Sequence, residues 1–311
     1  MNYIFFGTPE FAAIILKKLI EADFTPAAIV TNPDRPVGRK KVLTAPAVKQ
    51  LLEVELPLEV QLPKSQIVIL QPDNLLTIRD SLFALRPEFG ILAAYGKIIP
   101  KEIINIFPKG IIVVHPSLLP KYRGATPIQS AILADEQETG TTLILMDEKV
   151  DHGPVLANCK SPIADSDTYE PLSKKLAELS GDLLIETLPK YLAGEIKPQE
   201  QDHVQATYTK KLTTEDGFVN YNDLVRGCHR DSSPPPADQN DAHSIWLKIR
   251  ALNPEPGVYT ILQSDSGQFK NGRRMKILSA DWVDGKLILK KIQFEGEKPK
   301  IISRSSTSNG S

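Results

Sequence analysis

Only two cysteines stand in the 311 residues, Cys159 and Cys228, far apart and at no ligand spacing. Neither a disulfide framework nor a cysteine-based zinc site is expected from them. Their scarcity fits a reducing, cytoplasmic setting. No run of about 18 apolar residues occurs, so no segment reads as membrane-spanning. The chain opens Met1-Asn2-Tyr3-Ile4-Phe5-Phe6-Gly7 with no basic stretch, and this start reads as a first strand, not a leader. Internal repeats are missing. A GxGxxG fingerprint is missing too: Gly7 is followed by Thr8-Pro9-Glu10, which gives dinucleotide binding little support. Net charge is almost nil, with 37 Lys and Arg against 38 Asp and Glu. That balance hides an asymmetry. Residues 205–311 carry 16 basic and 12 acidic side chains, and the remainder 21 and 26. A mildly basic rear half suits a polyanionic partner, and equally an ordinary surface.

What is present is an alternation of short apolar runs and helical periods. Residues 3–6 and 27–31 read as buried strands. Between them Thr8 reads as an N-cap, Pro9 as the first helical residue and Glu10 as a first-turn acid. Phe11, Ile14, Ile15, Leu16 and Leu19 follow at helical spacing. Strand, helix, strand is the unit that builds parallel sheets. Residues 89–94, 111–114 and 141–146 are further strands, with a hairpin return at 154–157. Residues 171–188 read as a helix with Leu172, Leu176, Leu179, Leu183 and Leu184 on one face.

Residues 1–190 are therefore expected to form an α/β domain with a Rossmann-like, mostly parallel sheet. Residues 191–205 are polar, carry Gly194 and Pro198, and read as a linker. Residues 206–311 hold β-like runs at 257–262, 275–283 and 286–294. Asp284-Gly285 between the last two is a hairpin signal. A small OB-like β-barrel is expected there. Residues 53–70 look irregular. Residues 227–243, with Ser-Ser-Pro-Pro-Pro, read as a mobile loop, and the Ser-rich tail from 303 as disordered.

Three stretches could carry chemistry. In 115–124, His115 directly follows a buried strand and precedes a loop with two prolines and a glycine. Open α/β sheets bind ligands outside the carboxyl ends of their strands. A lone histidine is nevertheless more often structural. In 146–154, Asp147, Glu148 and Asp151 crowd a turn. Each alone reads as a solvated turn residue. An aspartate beside a histidine is also the general way to fix an imidazole tautomer and stabilise its charged form. In 31–41, Arg35, Arg39, Lys40 and Lys41 share an exposed loop with proline and glycine. Four cations there could hold phosphates or be a solvated turn.

These pieces, in this order, resemble the folate-dependent formyltransferase family. Gly7-Thr8-Pro9-Glu10-Phe11 resembles its opening turn. Ala94-Tyr95-Gly96 with Ile99-Pro100 resembles its folate-side loop. His115 to Gln129, reading HPSLLPKYRGATPIQ, is the most specific stretch, and Glu138-Thr139-Gly140 and Met146 to Gly153 complete it. Asn32 to Arg39, Ala206-Thr207-Tyr208, Lys211-Leu212 and Ile249 to Pro254 resemble the branch acting on methionyl-tRNA.

The resemblance implies transfer of a formyl group from 10-formyltetrahydrofolate to the amino group of initiator methionyl-tRNA, in support of translation initiation. No metal or redox cofactor is implied, and a cytoplasmic monomer is expected. His115 would move a proton or stabilise the formyl oxygen, and Asp151 would orient it. Ser117, Leu118, Leu119 and Pro120, with Tyr95 and Gly96, would line the folate site. Arg39, helped by Arg35, Lys40 and Lys41, would contact tRNA. One position departs from the family pattern. An asparagine is expected two residues before the histidine, where this chain has Val113. Valine has no hydrogen-bond donor for a developing oxyanion, so weakened turnover is expected. Two rivals remain: a formyltransferase for a small amine such as a nucleotide sugar, and a non-catalytic folate- or tRNA-binding relative.

Overall fold

The computed structural model describes residues 1–38, 40–55, 67–228, 239–262 and 272–302. They fall into two compact units. The first comprises Met1–Pro127, Glu138–Pro162 and Glu170–Thr209. The second takes in Ile128–Gln137, Ile163–Tyr169 and the chain from Lys210 onward.

The first unit is built on seven strands: β1 (Tyr3–Gly7), β2 (Ala28–Val30), β3 (Val68–Leu70), β4 (Phe89–Ala93), β5 (Ile111–His115), β6 (Glu138–Leu145) and β7 (Val155–Pro162). Their order is β7-β6-β5-β4-β1-β2-β3. Strands β5 through β3 in that order run parallel, and β6 and β7 are antiparallel. Every residue of β1 and β5 is buried. Unbroken apolar runs are what a sheet covered on both faces requires. On one face Ile4, Phe6, Val30, Tyr95, Phe107 and Ile111 pack together. On the other lies α1 (Glu10–Glu21), burying Phe11, Ala12, Ile15, Leu16, Leu19 and Ile20. Each such large side chain contributes about 1.5–3 kcal/mol.

Several expectations need adjustment. The N-cap of α1 is Pro9, with no side-chain cap. The Thr8 hydroxyl instead donates to the Tyr95 carbonyl at 3.4 Å and accepts from the Asn32 amide at 3.4 Å. It therefore ties together the carboxyl ends of three neighbouring strands. The long helix α2 (Tyr169–Leu192) buries Leu172, Leu176, Leu184 and Leu188 with Ala177, Ser180 and Gly181. Leu179 and Leu183 lie only half-buried beside that stripe. Small residues claim part of the face because Lys18 of α1 lies against Gly181. Within 53–70, the last three residues form β3, an edge strand too short to show a period. Residues 56–66 lie outside the described residues.

The second unit carries four antiparallel strands among its described residues: β8 (Val258–Ile261), β9 (Arg274–Val283), β10 (Lys286–Phe294) and β11 (Lys300–Ile301), in that order. The expected barrel takes the form of this open sheet. Asp284 and Gly285 turn β9 into β10 with φ of 52° and 73°, as a two-residue hairpin turn with both central residues left-handed requires. Helices Tyr221–Cys228 and Gln239–Leu252 reach into the expected loop from both ends. The Ser-Pro stretch and the tail from 303 lie outside the described residues. No helix among the described residues is long and apolar enough to cross a membrane.

Candidate active site

The carboxyl end of β5 presents His115. Side chains alternate along a strand, so Val113 and His115 share the face of Ile111. His115 is 4% exposed and Val113 7%. Val113 stands between Leu92 and Ile144 on the neighbouring strands, an apolar side chain in apolar company.

The loop after β5 is folded back on itself. The Ser117 amide donates to the His115 carbonyl at 2.9 Å. The Thr142 hydroxyl, on β6, donates to the Ser117 carbonyl at 2.6 Å and accepts from the Leu119 amide at 3.2 Å. The Ser117 hydroxyl donates to the Lys121 carbonyl at 2.7 Å. Gly140 makes this possible. A Cβ there would lie 2.2 Å from the Cys159 carbonyl oxygen and 2.6 Å from Leu118.

His115 Nε2 lies 2.9 Å from the Tyr122 carbonyl oxygen. A carbonyl only accepts, so the neutral ring carries its proton on Nε2 and leaves Nδ1 bare. Nδ1 lies 3.5 Å from Asp151 Oδ2. The same carboxylate oxygen accepts from the Gly124 amide at 2.7 Å. The two segments singled out in the sequence thus meet. Their side chains are 5% and 14% exposed, so Asp151 is the more accessible. Tyr122 and Asp151 adopt φ of 62° and 47°. Non-glycine residues in the left-handed region cost on the order of 1 kcal/mol each and persist where the surroundings over-determine them.

The other carboxylates of the 146–154 turn go elsewhere. Asp147 pairs with His152 at 2.6 Å and Glu148 with Lys101. His152 in turn stacks on His203, ring centroids 4.0 Å apart.

The expected folate-lining residues divide into two kinds. Leu118, Leu119 and Pro120 are half-buried. Ser117 and Tyr95 are wholly buried, so neither presents surface to a ligand. Burial pushes the Tyr95 phenol up to about 12, and its hydroxyl finds no partner among the described residues. Gly96, by contrast, has φ of 79° and nothing within 4 Å of where a Cβ would sit. Ile98 beside it is 92% exposed.

The basic stretch after β2 is a hairpin, Arg35–Val37 pairing with Val42–Thr44. Arg35, Lys40 and Lys41 are exposed, and none makes an ion pair among the described residues. Arg39 lies outside the described residues. At the hairpin's base, the Asp34 carboxylate accepts from Lys49 at 3.0 Å and from Gln71 at 2.7 Å. These two partners, Gln71 foremost, lower the Asp34 pKa.

Sequence reasoning gave no role of their own to Arg123 and Thr207, which lie in stretches it singled out, and passed over Gln201. Arg123 is 1% exposed, and its fork meets Gln201 Oε1 at 2.6 and 3.2 Å. An arginine in a Tyr-Arg-Gly loop reads as a surface cation. Only a partner some 80 positions away makes it a buried one.

An imidazole backed by a carboxylate at the carboxyl edge of an open α/β sheet is the arrangement of a general acid–base centre. Comparison with known proteins narrows the class. The chain belongs to the formyl transferase family, whose model matches residues 1–188. It is similar to the methionyl-tRNA formyltransferase of Halalkalibacterium halodurans, 38% identical over 288 residues, 91% of this chain and 79% of that one. The enzyme of the same name from Dictyoglomus thermophilum is 39% identical over 293 residues, covering 93% and 85%. Among solved structures, the methionyl-tRNA formyltransferase from Clostridium thermocellum shares the fold with a TM-score of 0.58 at 18% identity, over 94% of this chain and 98% of that one.

Proposed function

We propose that the chain transfers a formyl group to the amino group of initiator methionyl-tRNA, with 10-formyltetrahydrofolate as donor. The observation that carries this reading is the approach of His115 Nδ1 to Asp151 Oδ2 at the sheet edge, in a chain whose relatives are methionyl-tRNA formyltransferases along nine-tenths of its length.

The folate supplies the activated formyl group. The chain's residues do the rest. The attacking amine must shed a proton, and Asp151, the more exposed of the pair, meets it first. Bare Nδ1 of His115 can take that proton, the resulting imidazolium lies against the Asp151 carboxylate, and the proton passes to the folate nitrogen as its bond to the formyl carbon breaks. Charge also develops on the formyl oxygen. Val113 occupies the place from which the family's asparagine would donate to it, and a valine cannot. Removing one such donor costs roughly 10²–10³ in turnover, so the chain is a slow catalyst with its ligand sites in place. Arg35, Lys40 and Lys41, with Arg39, contact the tRNA backbone. A small-amine substrate would leave this exposed cationic hairpin without a role.

Formylation of charged initiator tRNA, run beside a binding titration at stated salt, tests the reading. Transfer is expected, and Val113→Asn is expected to raise turnover at least tenfold. Binding without turnover, unmoved by Val113→Asn, would favour the non-catalytic rival. Transfer to a nucleotide sugar but not to tRNA would favour the other.

A further inference from the structure

We propose that Gln201 and Arg123 are positioning residues for this transfer, acting through the backbone that carries the His115–Asp151 pair. The inference rests on the reading above and adds to it a device in residues 199–209.

The geometry begins with the two left-handed residues. Tyr122 supplies the carbonyl that receives His115 Nε2, and Asp151 supplies the carboxylate. Neither conformation is held by its own loop alone. The Tyr122 amide donates to the Thr207 hydroxyl at 2.8 Å. The Arg123 amide donates to the Thr207 carbonyl at 2.9 Å. The Asp151 carbonyl accepts from Gln201 Nε2 at 3.0 Å, and the Gly153 carbonyl accepts from the same nitrogen at 2.7 Å.

Gln201 therefore faces both ways. Its oxygen receives the Arg123 fork, and its nitrogen holds the Asp151 turn. The guanidinium is completed by His203 Nδ1 at 2.9 Å and the Tyr208 hydroxyl at 3.2 Å. Gln201 is 7% exposed and Arg123 1%. Buried donors and acceptors are costly to leave unmade, so this cluster has one low-energy arrangement. That arrangement fixes Tyr122 on one side of His115 and Asp151 on the other. Neither Gln201 nor Arg123 hydrogen-bonds to His115 among the described residues, and neither is given a hand in the chemistry. A misplacement of about 1 Å at a reacting pair is worth about 10² in rate. A clamp of this kind is thus felt in turnover before it is felt in binding.

The test is a coupling measurement on the full chain. Gln201→Met removes both roles of the amide. Gln201→Glu keeps an acceptor for Arg123 but has no donor for the two carbonyls, and serves if the first variant unfolds. Formylation kinetics are measured in the native background and in Asp151→Asn, with thermal melting alongside. The expected result is a fall in kcat of about tenfold or more with both KM values within about twofold. In the Asp151→Asn background the same change costs clearly less than in the native one, because only the Tyr122 side of the clamp is then left to aim. An unchanged kcat, equal losses in both backgrounds, or a loss confined to KM would overturn the proposal. If the native chain formylates and the Gln201 variants do too, only the positioning role fails. If the native chain does not formylate at all, the parent reading fails and this one with it.

Discussion

Two loops leave the same edge of the same sheet and are built in opposite ways. The end of β5 and the loop after it bury His115, Ser117 and Arg123 and tie each to at least one partner. The hairpin after β2 exposes Arg35, Val37, Lys40, Lys41, Val42 and Leu43, and is anchored at its base by Asp34, Lys49 and Gln71. Bond-making tolerates little misplacement, so its groups are fixed in advance. Attraction to a polyanion acts over about a Debye length and tolerates motion, so its groups can stand in water. On the proposed function, the first loop would hold the reacting groups and the second would read charge.

The largest effect expected of a substitution lies in the first loop's partner. Asp151→Asn should lower turnover by about 10² or more and leave the tRNA Kd unchanged. A matching loss of affinity would erase the distinction between the loops. In the hairpin, Arg35→Ala, Lys40→Ala and Lys41→Ala combined should weaken tRNA binding by about tenfold and flatten its dependence on log salt by roughly 1 per lost phosphate contact. Turnover at saturating tRNA should be retained, and 10-formyltetrahydrofolate binding should not move. Gly140→Ala tests the packing under the first loop. Its Cβ would meet backbone at 2.2 Å, so a loss of about 1–3 kcal/mol is expected, read as a lower Tm.

The smallest effect is a pH dependence of the hairpin base. The Asp34 pKa is lowered in the folded chain, so its contribution is present above the unfolded carboxylate pKa and is lost as pH falls through the folded one. Protection factors at residues 35–44, taken against the intrinsic exchange rate at each pH, should fall on acidification below the ordinary carboxylate range, and Asp34→Asn should remove that dependence. Protection that ignores both pH and the substitution would show that the anchor lies elsewhere.

Much of the framework was legible because it is local. The apolar runs at 3–6 and 111–114 have the length and continuity of doubly covered strands, and Asp284-Gly285 names its own turn. His115 and Asp151 were legible as types of residue in suitable places. Their company was not. Tyr122 depends on Thr207, 85 positions away, and Arg123 on Gln201, 78 away, and no local pattern marks such pairs. Thr8 misled for a similar reason. Its hydroxyl suits an N-cap by local rules, but two neighbouring loops claimed it first. The polar stretch around Gln201 reads as linker because side-chain polarity looks the same whether it faces water or a buried guanidinium.

The most direct test of the His115–Asp151 centre is a single-turnover formylation of methionyl-tRNA by His115→Asn, with tRNA affinity measured on the same preparation. Loss of the imidazole should slow transfer by about 10² or more while the Kd stays within about twofold. A rate equal to that of the unaltered chain, with tRNA bound as tightly, would place the chemistry somewhere other than the end of β5.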